Sequence, residues 1–322
     1  MNSENMAVYG RPTISVAIPV YNEEETLDAL VSRLTSALDA HGEPWEVIFV
    51  NDGSSDRSYQ MLKEFHLNDP RIKCVSLSRN FGHQVAISCG LDFACGSAVI
   101  AMDGDLQDPP EVLPELIAKW REGYEVVFAV RQDRKENVFK RASYRAFYWL
   151  LNKVSYLDIP LDSGDFSLMD RRVVDLLKAM PERNRFVRGL RTWVGFRQTG
   201  FQYARDARFA GTSKYSFTRL MRLAFDGLVS YSFVPLRMVS NIGMLVSVSA
   251  LGFMAYLILV RLLGDRTIEG WTSTVVIVLF LGGIQLLALG IIGEYVGRVF
   301  DEVKQRPRYV VSEVLGLPED AL

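Results

Sequence analysis

Cysteine is scarce in this sequence, with three residues in 322. Cys74, Cys89 and Cys95 are too few for a disulfide framework or a zinc cluster. Each lies in an apolar pattern, so we expect buried free thiols and a reducing compartment. We also expect no cleavable signal peptide, because the first apolar run, TISVAIPV, is short and β-branched and has no basic leader.

An excess of charge of one sign is also lacking: the formal net charge is -2, and 23% of the residues are charged. This balance gives no electrostatic reason to expect a nucleic acid or another polyanion as a partner. With 49% apolar and 11% aromatic residues, general disorder is excluded. A chain of this length can bury the core of one large domain and carry a smaller appendage.

The first part of the chain alternates between strand and helix patterns. The runs TISVAIPV, WEVIFVND, IKCVSLS, SAVIAMD and EVVFAVR predict five strands with helices between them. The first helix is expected from an N-cap at Asn22 to about Ala40, the second from about Ser55, and another from Pro109 and Pro110. Apolar strands joined by helical crossovers predict an α/β fold, with a mostly parallel sheet and helices on both faces.

Two glycine-rich phosphate-binding motifs are missing. No GxGxxG follows the first strand, which argues against a Rossmann-type dinucleotide site, and the lack of GxxxxGK[ST] excludes P-loop chemistry. Polar clusters nevertheless follow the strands, at the edge where such sheets bind ligands: residues 21–23, 51–54 and 103–105, and Arg131. A ligand held without a glycine cradle, beside paired carboxylates, suggests a metal ion that carries the phosphate charge.

Asp103 and Asp105 stand one residue apart in the stretch IAMDGDLQDPPE, after the fourth predicted strand. Two hard oxygen donors suit Mg²⁺ or Mn²⁺, which take their remaining ligands from phosphate and water, and Gln107 could add a neutral oxygen. An Asp-x-Asp pair is weak evidence by itself, because aspartates after a strand also form turns and helix caps. Asp108, before the two prolines, is predicted as such a cap.

Two long stretches without charge lie nearer the C-terminus. Residues 238–260 and 271–293 each run for 23 positions without a charged side chain. As helices they would each be about 34 Å long, enough to cross a hydrocarbon core of about 30 Å. Soluble helices that are apolar on all sides are rare, so a transmembrane hairpin is predicted. Glycines in its second helix could pack against another copy, which suggests a homo-oligomer.

Basic residues flank this hairpin mainly on one side. Only two, Arg261 and Arg266, lie in its connecting loop. By the positive-inside rule, both termini and the N-terminal domain face the cytoplasm, and the chain is a multi-pass protein of the cell inner (plasma) membrane. The outer flanks carry Arg219, Arg222, Arg237, Arg298, Lys304, Arg306 and Arg308.

These patterns predict a flexible N-terminus (1–11), a cytoplasmic domain (12–232), the hairpin (233–300) and a cytoplasmic tail (301–322). Within the domain, two amphipathic helices with basic flanks, at about 138–156 and 215–232, are predicted at the membrane interface. The alternative, that these helices pack on the domain's own core, remains open.

Four segments with characteristic motifs follow one another along the chain: VAIPVYNEEETL, IFVNDGSSDRS, LSRNFGHQVAISCGLDFACGSAVIAMDGDLQDPPE and DARFAGTSKYS. Together they resemble the family 2 glycosyltransferases of GT-A fold. More narrowly, the chain is similar to the dolichol-phosphate-type polyprenyl-phosphate glycosyltransferases with two C-terminal membrane helices. The resemblance covers about residues 12 to 300. It implies a GT-A type sheet, a nucleotide sugar as donor, a polyprenyl phosphate as acceptor, and Mg²⁺ or Mn²⁺ as cofactor.

The resemblance also implies roles for individual residues. Contacts with the nucleotide sugar are implied for Pro19, Tyr21, Glu23, Asp52, Asp103, Arg205 and Lys214. Metal binding is implied for Asp103, Asp105 and Gln107. Contacts with the acceptor phosphate are implied for Arg131, Lys140, Arg141, Arg145 and Ser213. Catalytic roles are implied for Asp103, Asp105, Arg131 and Asp165. Asp165 is the second aspartate of the run DSGD (162–165). Asn51 departs from the pattern, since many relatives have an aspartate there.

The implied reaction is an inverting glycosyl transfer. Its phosphate acceptor is already an anion at neutral pH and needs no strong general base, whereas arginines suit the task of holding it. His41, His66 and His83 are therefore predicted to have packing or surface roles.

The motifs leave the sugar open. Glucose from UDP-glucose is the first expectation, because the chain is most similar to bacterial bactoprenol glucosyltransferases. Mannose from a GDP donor and 4-deoxy-4-formamido-arabinose from a UDP donor are its rivals. A glycan-extending transferase is disfavoured, since polymer synthases need more membrane helices to form a channel. A non-catalytic sugar-nucleotide-binding scaffold is disfavoured because the acidic motif is intact.

Overall fold

The structure of the chain, a computed structural model, describes residues 12–132, 163–183, 185–204, 234–263 and 270–317. The predicted flexible N-terminus (1–11) and the two predicted interfacial helices lie outside these residues. The chain divides into two compact units. The first comprises Met1–Tyr144, Leu157–Lys214 and Arg306–Leu322, and the second comprises Arg145–Tyr156 and Tyr215–Gln305.

The described part of the first unit is built around one sheet. Its strands are β1 (Ile14–Val20), β2 (Trp45–Asn51), β3 (Ile72–Leu77), β4 (Ala98–Ala101), β5 (Val126–Gln132), β6 (Ser163–Asp170), β7 (Gln198–Ala204) and β8 (Val311–Leu315). They pair in the order β7-β5-β6-β4-β1-β2-β3-β8. Strand β1 pairs in parallel with β2 and β4, β2 with β3, and β5 with β7, whereas β6 and β8 are antiparallel to their neighbours. The predicted mostly parallel sheet is confirmed.

Helices cover both faces of this sheet. They are α1 (Leu27–His41), α2 (Ser58–Asn68), α3 (His83–Phe93), α4 (Leu113–Arg121), α5 (Arg171–Ala179) and α6 (Val187–Trp193). Two clusters of buried apolar side chains form the core, one on each face. Strand β1 is buried at all seven positions because of this double cover, which explains why its sequence is a continuous apolar run.

Two local predictions are wrong. Helix α1 begins after Thr26 and not after Asn22, because Asn22 has a φ of 56° and lies in a turn before the helix. Cys95 is exposed, whereas Cys74 and Cys89 are buried as predicted. The reason is that α3 ends at Phe93, so Cys95 lies in the connection to β4 and not in an apolar element.

The two antiparallel strands are β6, which lies within the sheet between β5 and β4, and β8, which forms one edge. Because β6 runs against β4, with Ala101 opposite Ser167, its first residues lie beyond the carboxyl end of β4. Strand β8 comes from the predicted C-terminal tail and pairs with β3. It covers what would otherwise be an exposed sheet edge. Near it, Tyr309 donates a hydrogen bond to Asp92 of α3 at 2.9 Å.

The described part of the second unit contains two long helices, α7 (Val234–Leu263) and α8 (Trp271–Val303). They include the predicted spans 238–260 and 271–293. Among the described residues, one helical segment, Phe280–Val303, is long and apolar enough to cross a membrane, and none of it is buried in the structure. A shorter apolar segment covers Met238–Phe253.

Candidate active site

The loops after β1 and β2 are joined by hydrogen bonds. The backbone N–H of Asn22 donates to Ser54 Oγ at 3.1 Å, and Asn22 Oδ1 accepts from the backbone N–H of Ser55 at 2.8 Å. The backbone N–H of Glu23 donates to Ser58 Oγ at 2.9 Å. These bonds fix the two loops as one surface at the carboxyl edge of the sheet.

The two residues near this surface that were predicted to contact the nucleotide, Tyr21 and Pro19, differ in exposure. The side chain of Tyr21, in the first of the two loops, is 49% exposed. Pro19 is buried in β1, opposite Val50 of β2. Tyr21 can therefore contact a ligand directly, whereas Pro19 shapes the backbone beneath it.

Asp52 is buried at the end of β2 and holds the loop before α3. Its two carboxylate oxygens accept from the backbone N–H groups of Phe81 and Gly82, at 2.7 and 2.9 Å. Burial raises the pKa of Asp52, and the two N–H donors oppose that rise. A nucleotide base bound by Asp52 would therefore share a carboxylate that already positions the start of α3.

The contacts of Asn51 account for an amide at this position. Its side chain is buried, and Nδ2 donates to Ser76 Oγ at 2.9 Å. Its Oδ1 accepts from the backbone N–H of Ser54 at 3.0 Å. An amide can donate and accept at once, whereas an ionised carboxylate can only accept. Asparagine therefore satisfies both neighbours in this buried position.

The segment with Asp103 is held against the end of β1. A Cβ atom on Gly104 would lie 3.1 Å from the backbone oxygen of Pro19, so a glycine suits this close approach. Thr26 Oγ1 lies 3.3 Å from the carbonyl oxygen of Gly104 and 3.1 Å from Glu23 Oε2. These contacts bring Pro19 and Glu23 close to the acidic motif.

Asp105 is fixed by a tight turn. Leu106 has a φ of 56°, a conformation that leucine rarely adopts, and the turn lets the backbone N–H of Gln107 donate to Asp105 Oδ1 at 3.1 Å. Gln107 therefore contacts Asp105 through the backbone N–H of Gln107. The implied role of the Gln107 side chain as a metal ligand remains a prediction.

The predicted helix cap at Asp108 is wrong. Asp108 is fully buried and accepts a hydrogen bond from the hydroxyl of Tyr203 on β7. The following 3-10 turn, Pro110–Val112, has Pro109 at its N-cap and no capping side-chain bond. The carboxylate turns inward because Pro110, two residues on, has no N–H for a cap to accept from, and β7 supplies a buried hydroxyl instead.

His83 is a surface side chain, 46% exposed, which agrees with one of its two predicted roles, but it also lies beside Asp103 and Asp165, a contact that was not predicted. Its Nε2 lies 3.3 Å from Asp103 Oδ1 and 3.6 Å from Asp165 Oδ2. The physical reason is the direction of β6, which carries Asp165 beyond the end of β4. His66 and His41 have local contacts away from this site, with the Ile72 carbonyl and the Glu43 carboxylate.

Asp165 is held by side chains from two helices. Gln84 Nε2 donates to Asp165 Oδ2 at 2.9 Å, and Gln84 Oε1 accepts from the backbone N–H of Val187 at 2.9 Å. Arg188 Nη2 lies 3.5 Å from Asp165 Oδ1. Gln84 and Arg188 are not among the predicted site residues. The available signals were Gln84 in NFGHQ and the two arginines three residues apart in FVRGLRTW.

Opposite charges face one another in this cluster. Burial by itself would lower the pKa of His83, but the contacts with Asp103 and Asp165 raise it to about 10. Burial by itself would raise the pKa of Asp165, but His83, Arg188 and Arg191 hold it well below its usual range. At neutral pH the cluster therefore contains an imidazolium between two carboxylates.

Asp103 and Asp105 fit a divalent cation as a partial donor set. Asp103 Oδ1 is buried, and among the described residues its contact is with His83 Nε2 at 3.3 Å. No group of three His, Cys, Asp or Glu side chains that could hold a metal ion occurs in the described part of the chain. Two carboxylates suit Mg²⁺ or Mn²⁺, which complete their coordination with phosphate and water, better than a metal that needs an all-protein cage.

The remaining predicted site residues can be located only in part. The backbone of Arg131 lies in β5, opposite Tyr203 of β7. The other basic and polar residues implied for phosphate contacts lie outside the described residues; they are Lys140, Arg141, Arg145, Arg205, Ser213 and Lys214.

Comparison with known proteins identifies the class. A model of glycosyl transferase family 2 matches residues 15–177. The uncharacterized glycosyltransferase YkcC of Bacillus subtilis (strain 168) is 48% identical over 309 residues, which cover 96% of this chain and 96% of that protein. The chain therefore belongs to glycosyltransferase family 2.

A narrower relationship agrees with the resemblance found in the motifs. A prophage bactoprenol glucosyl transferase homolog of Escherichia coli (strain K12) is 40% identical over 302 residues, which cover 94% of this chain and 99% of that protein. Among solved structures, the mannosyltransferase PcManGT from Pyrobaculum calidifontis, in complex with GDP-Man and Mn²⁺, is 16% identical. It has a TM-score of 0.47 over 90% of this chain and 88% of that chain.

Proposed function

We propose that this glycosyltransferase transfers glucose from UDP-glucose to a polyprenyl phosphate, with inversion at the anomeric carbon. The observation that carries the proposal is the 40% identity, over nearly the whole chain, with a bactoprenol glucosyl transferase homolog. The carboxylates at the carboxyl edge of the sheet support it, because this edge is where α/β sheets bind their ligands.

In this proposal Asp103 and Asp105 would hold Mg²⁺ or Mn²⁺. When bound, such an ion supplies Lewis-acid stabilisation of the charge on the leaving diphosphate. Tyr21, Glu23 and Asp52 line the nucleoside side of the same edge, and their hydrogen-bonded loops orient the donor before transfer. The loop contacts described above restrict these residues to one arrangement, which lowers the entropic cost of reaching the reactive geometry.

The acceptor needs an anion-binding surface more than a base. A phosphate monoester is already ionised at neutral pH, so its oxygen attacks without first losing a proton to the protein. Asp165 has a lowered pKa and is a weak base, which agrees with a positioning role. Arg131 and the basic residues Lys140, Arg141 and Arg145 are proposed to contact the acceptor phosphate, and Arg205, Ser213 and Lys214 to close around the phosphates.

The function is tested with purified full-length chain and a panel of donors. UDP-glucose, GDP-mannose and UDP-4-deoxy-4-formamido-arabinose are each incubated with a short-chain polyprenyl phosphate, with Mg²⁺, with Mn²⁺ or with a chelator. We expect UDP-glucose to give polyprenyl-phosphate-linked glucose, and the rate with each of the other two donors to be at least tenfold lower. A preference for another donor overturns the glucose assignment, and no transfer with any donor overturns the reaction.

We further propose that α7 and α8 form a membrane hairpin. The first unit, the catalytic unit that carries the candidate active site, is proposed to lie on the cytoplasmic face. Large apolar side chains are exposed along both helices, among them Leu245, Leu251, Phe280 and Leu287. Water-exposed apolar surface of this extent is unusual for a soluble monomer and suits lipid. A lipid-bound acceptor also requires a catalytic unit at the membrane surface.

This placement is tested by labelling cysteine with a membrane-impermeant maleimide. Cys95 is the exposed native thiol of the catalytic unit. We expect Cys95 to react only after intact cells are permeabilised, and a cysteine introduced by Thr267→Cys in a Cys95→Ser background to react in intact cells. Labelling of Cys95 in intact cells would show that the orientation is the reverse.

A further inference from the structure

Arg188 lies beside the acidic site, and its side chain is partly exposed. Its Nη2 is 3.5 Å from Asp165 Oδ1, too long for a strong hydrogen bond, and its side chain is 18% exposed. The buried Nε of Arg188 donates to no acceptor among the described residues. Nη2 of this guanidinium therefore faces Asp165, and the exposed part of the side chain can contact another anion.

Arg191, one helical turn further along α6, lies deeper. Its side chain is 1% exposed, and its Nε and Nη2 donate to no acceptor in the described part of the chain. The guanidinium carbon lies 5.5 Å from the centre of the Phe128 ring. Burial lowers the pKa of Arg191 to about 10, so it stays charged at neutral pH. Arg191 is too deeply buried to touch a substrate, but its charge acts on the site.

Two guanidinium groups act on the carboxylate of Asp165. Arg188 lies 3.5 Å from Asp165 Oδ1, and the buried Arg191 adds a second positive charge nearby. A buried cation without a matched anion is costly, because it has lost its hydration without an equal gain. Such an arrangement is stabilised when a further anion binds, and at a functional site that anion is a substrate.

We propose that Arg188 binds the phosphate of the lipid acceptor, with Asp165 and Arg191 as positioning residues. The proposal rests on the proposed function, which supplies the phosphate acceptor. Asp165, fixed by Gln84, positions the Arg188 guanidinium, and the exposed part of the guanidinium can donate to phosphate oxygens. Arg191 adds positive potential from behind and so favours an anionic ligand at the partly exposed Arg188.

The test measures kcat and KM separately for donor and acceptor. We expect Arg188→Gln to raise KM for a short-chain polyprenyl phosphate about 10- to 100-fold, the loss expected for charge-assisted hydrogen bonds to one anion. KM for UDP-glucose is expected to change less than twofold. Arg188→Lys keeps the charge but loses the fork, so its acceptor KM should lie between those of the wild type and the glutamine variant.

The matched control is Arg172→Gln on α5, whose side chain is 66% exposed and paired with Glu125. Its kinetic constants should equal those of the wild type. A rise in the donor KM, with an unchanged acceptor KM, would assign Arg188 to the donor diphosphate and overturn the proposal. If Arg188→Gln does not fold, the acceptor KM of Arg188→Lys decides, and an unchanged value rejects the role.

The design separates this proposal from the one on which it rests. A wild-type chain that transfers no sugar to polyprenyl phosphate disproves the proposed function, whatever the variants do. A wild-type chain that transfers sugar, beside an Arg188→Gln variant with unchanged acceptor KM, rejects only the assignment of Arg188.

Discussion

Replacing Asp105 by asparagine is expected to lower kcat for sugar transfer by about 10³-fold or more. The size follows from the loss of electrostatic stabilisation aimed at charge that develops on the leaving group. Asparagine is the sharpest choice here because its Oδ1 can still accept from the backbone N–H of Gln107, as Asp105 Oδ1 does at 3.1 Å. The turn around Leu106 is therefore kept, and the carboxylate charge is what changes.

The measurement combines turnover with metal titration. Initial rates are recorded for wild type and Asp105→Asn at saturating UDP-glucose over a series of Mn²⁺ concentrations. We expect the variant to need much more Mn²⁺ for its residual rate, because two hard anionic donors become one. The control is Asp175→Asn on α5, where the carboxylate is 58% exposed. It should retain wild-type rates.

The outcome also distinguishes charge from structure. The thermal unfolding midpoint of Asp105→Asn should stay close to that of the wild type, since the hydrogen bond within the turn survives. A variant with full activity would remove Asp105 from the metal and diphosphate site. A variant that is both inactive and unfolded at the assay temperature would call for the same measurement on Asp103→Asn, whose carboxylate lies in the same motif.

The parallel part of the fold could be predicted because its information is local. Strands β1 to β5 are apolar runs, and their burial by helices on both faces is what makes them apolar. Strands β6, β7 and β8, with the sequences SGDFSLMD, QTGFQYA and VSEVL, mix polar and apolar residues. Such segments form strands through pairing with neighbours distant in sequence, so their own pattern is weak.

The site divides in the same way. The positions of Asp52, Asp103 and Asp105 follow from one rule, that polar residues after parallel strands meet at one edge. The contacts of His83 and Arg188 depend on the direction of β6 and the packing of α6, which no local spacing encodes. Asp108 shows the converse error. Its residue type and its position before a proline predict a helix cap. In the structure Asp108 instead turns inward and accepts a hydrogen bond from the Tyr203 hydroxyl on β7.

The second large effect is expected at the amino ends of the strands, away from the candidate active site. There Glu46→Ala should reduce the free energy of unfolding by about 3–5 kcal/mol. Glu46 is 1% exposed, and Lys73 Nζ lies 2.6 Å from its Oε2. Its Oε1 accepts from Ser15 Oγ at 2.5 Å and from the backbone N–H of Cys95 at 2.8 Å. Alanine removes the anion, so the Lys73 ammonium group, the Ser15 hydroxyl and the Cys95 backbone N–H all lose this acceptor.

The stability change is measured on the full-length chain in detergent. Urea unfolding is followed by hydrogen exchange of peptides from β1, β2 and β3, so that the sheet is observed separately from α7 and α8. Glu46→Gln should lose less than Glu46→Ala, because the amide oxygen still accepts from Ser15 and Cys95. The control is Glu111→Gln, which breaks the exposed pair with Arg33 and should cost less than about 1 kcal/mol.

A double variant separates buried charge from lost packing. If the buried charge of Lys73 causes most of the loss, Glu46→Leu combined with Lys73→Met should be more stable than Glu46→Ala, because neither buried charge remains. If the double variant is as unstable as Glu46→Ala, the hydrogen bonds to Ser15 and Cys95 carry the effect. Transfer activity per folded molecule should be unchanged in both variants. The network joins the amino ends of the strands, and the candidate active site lies at their carboxyl ends.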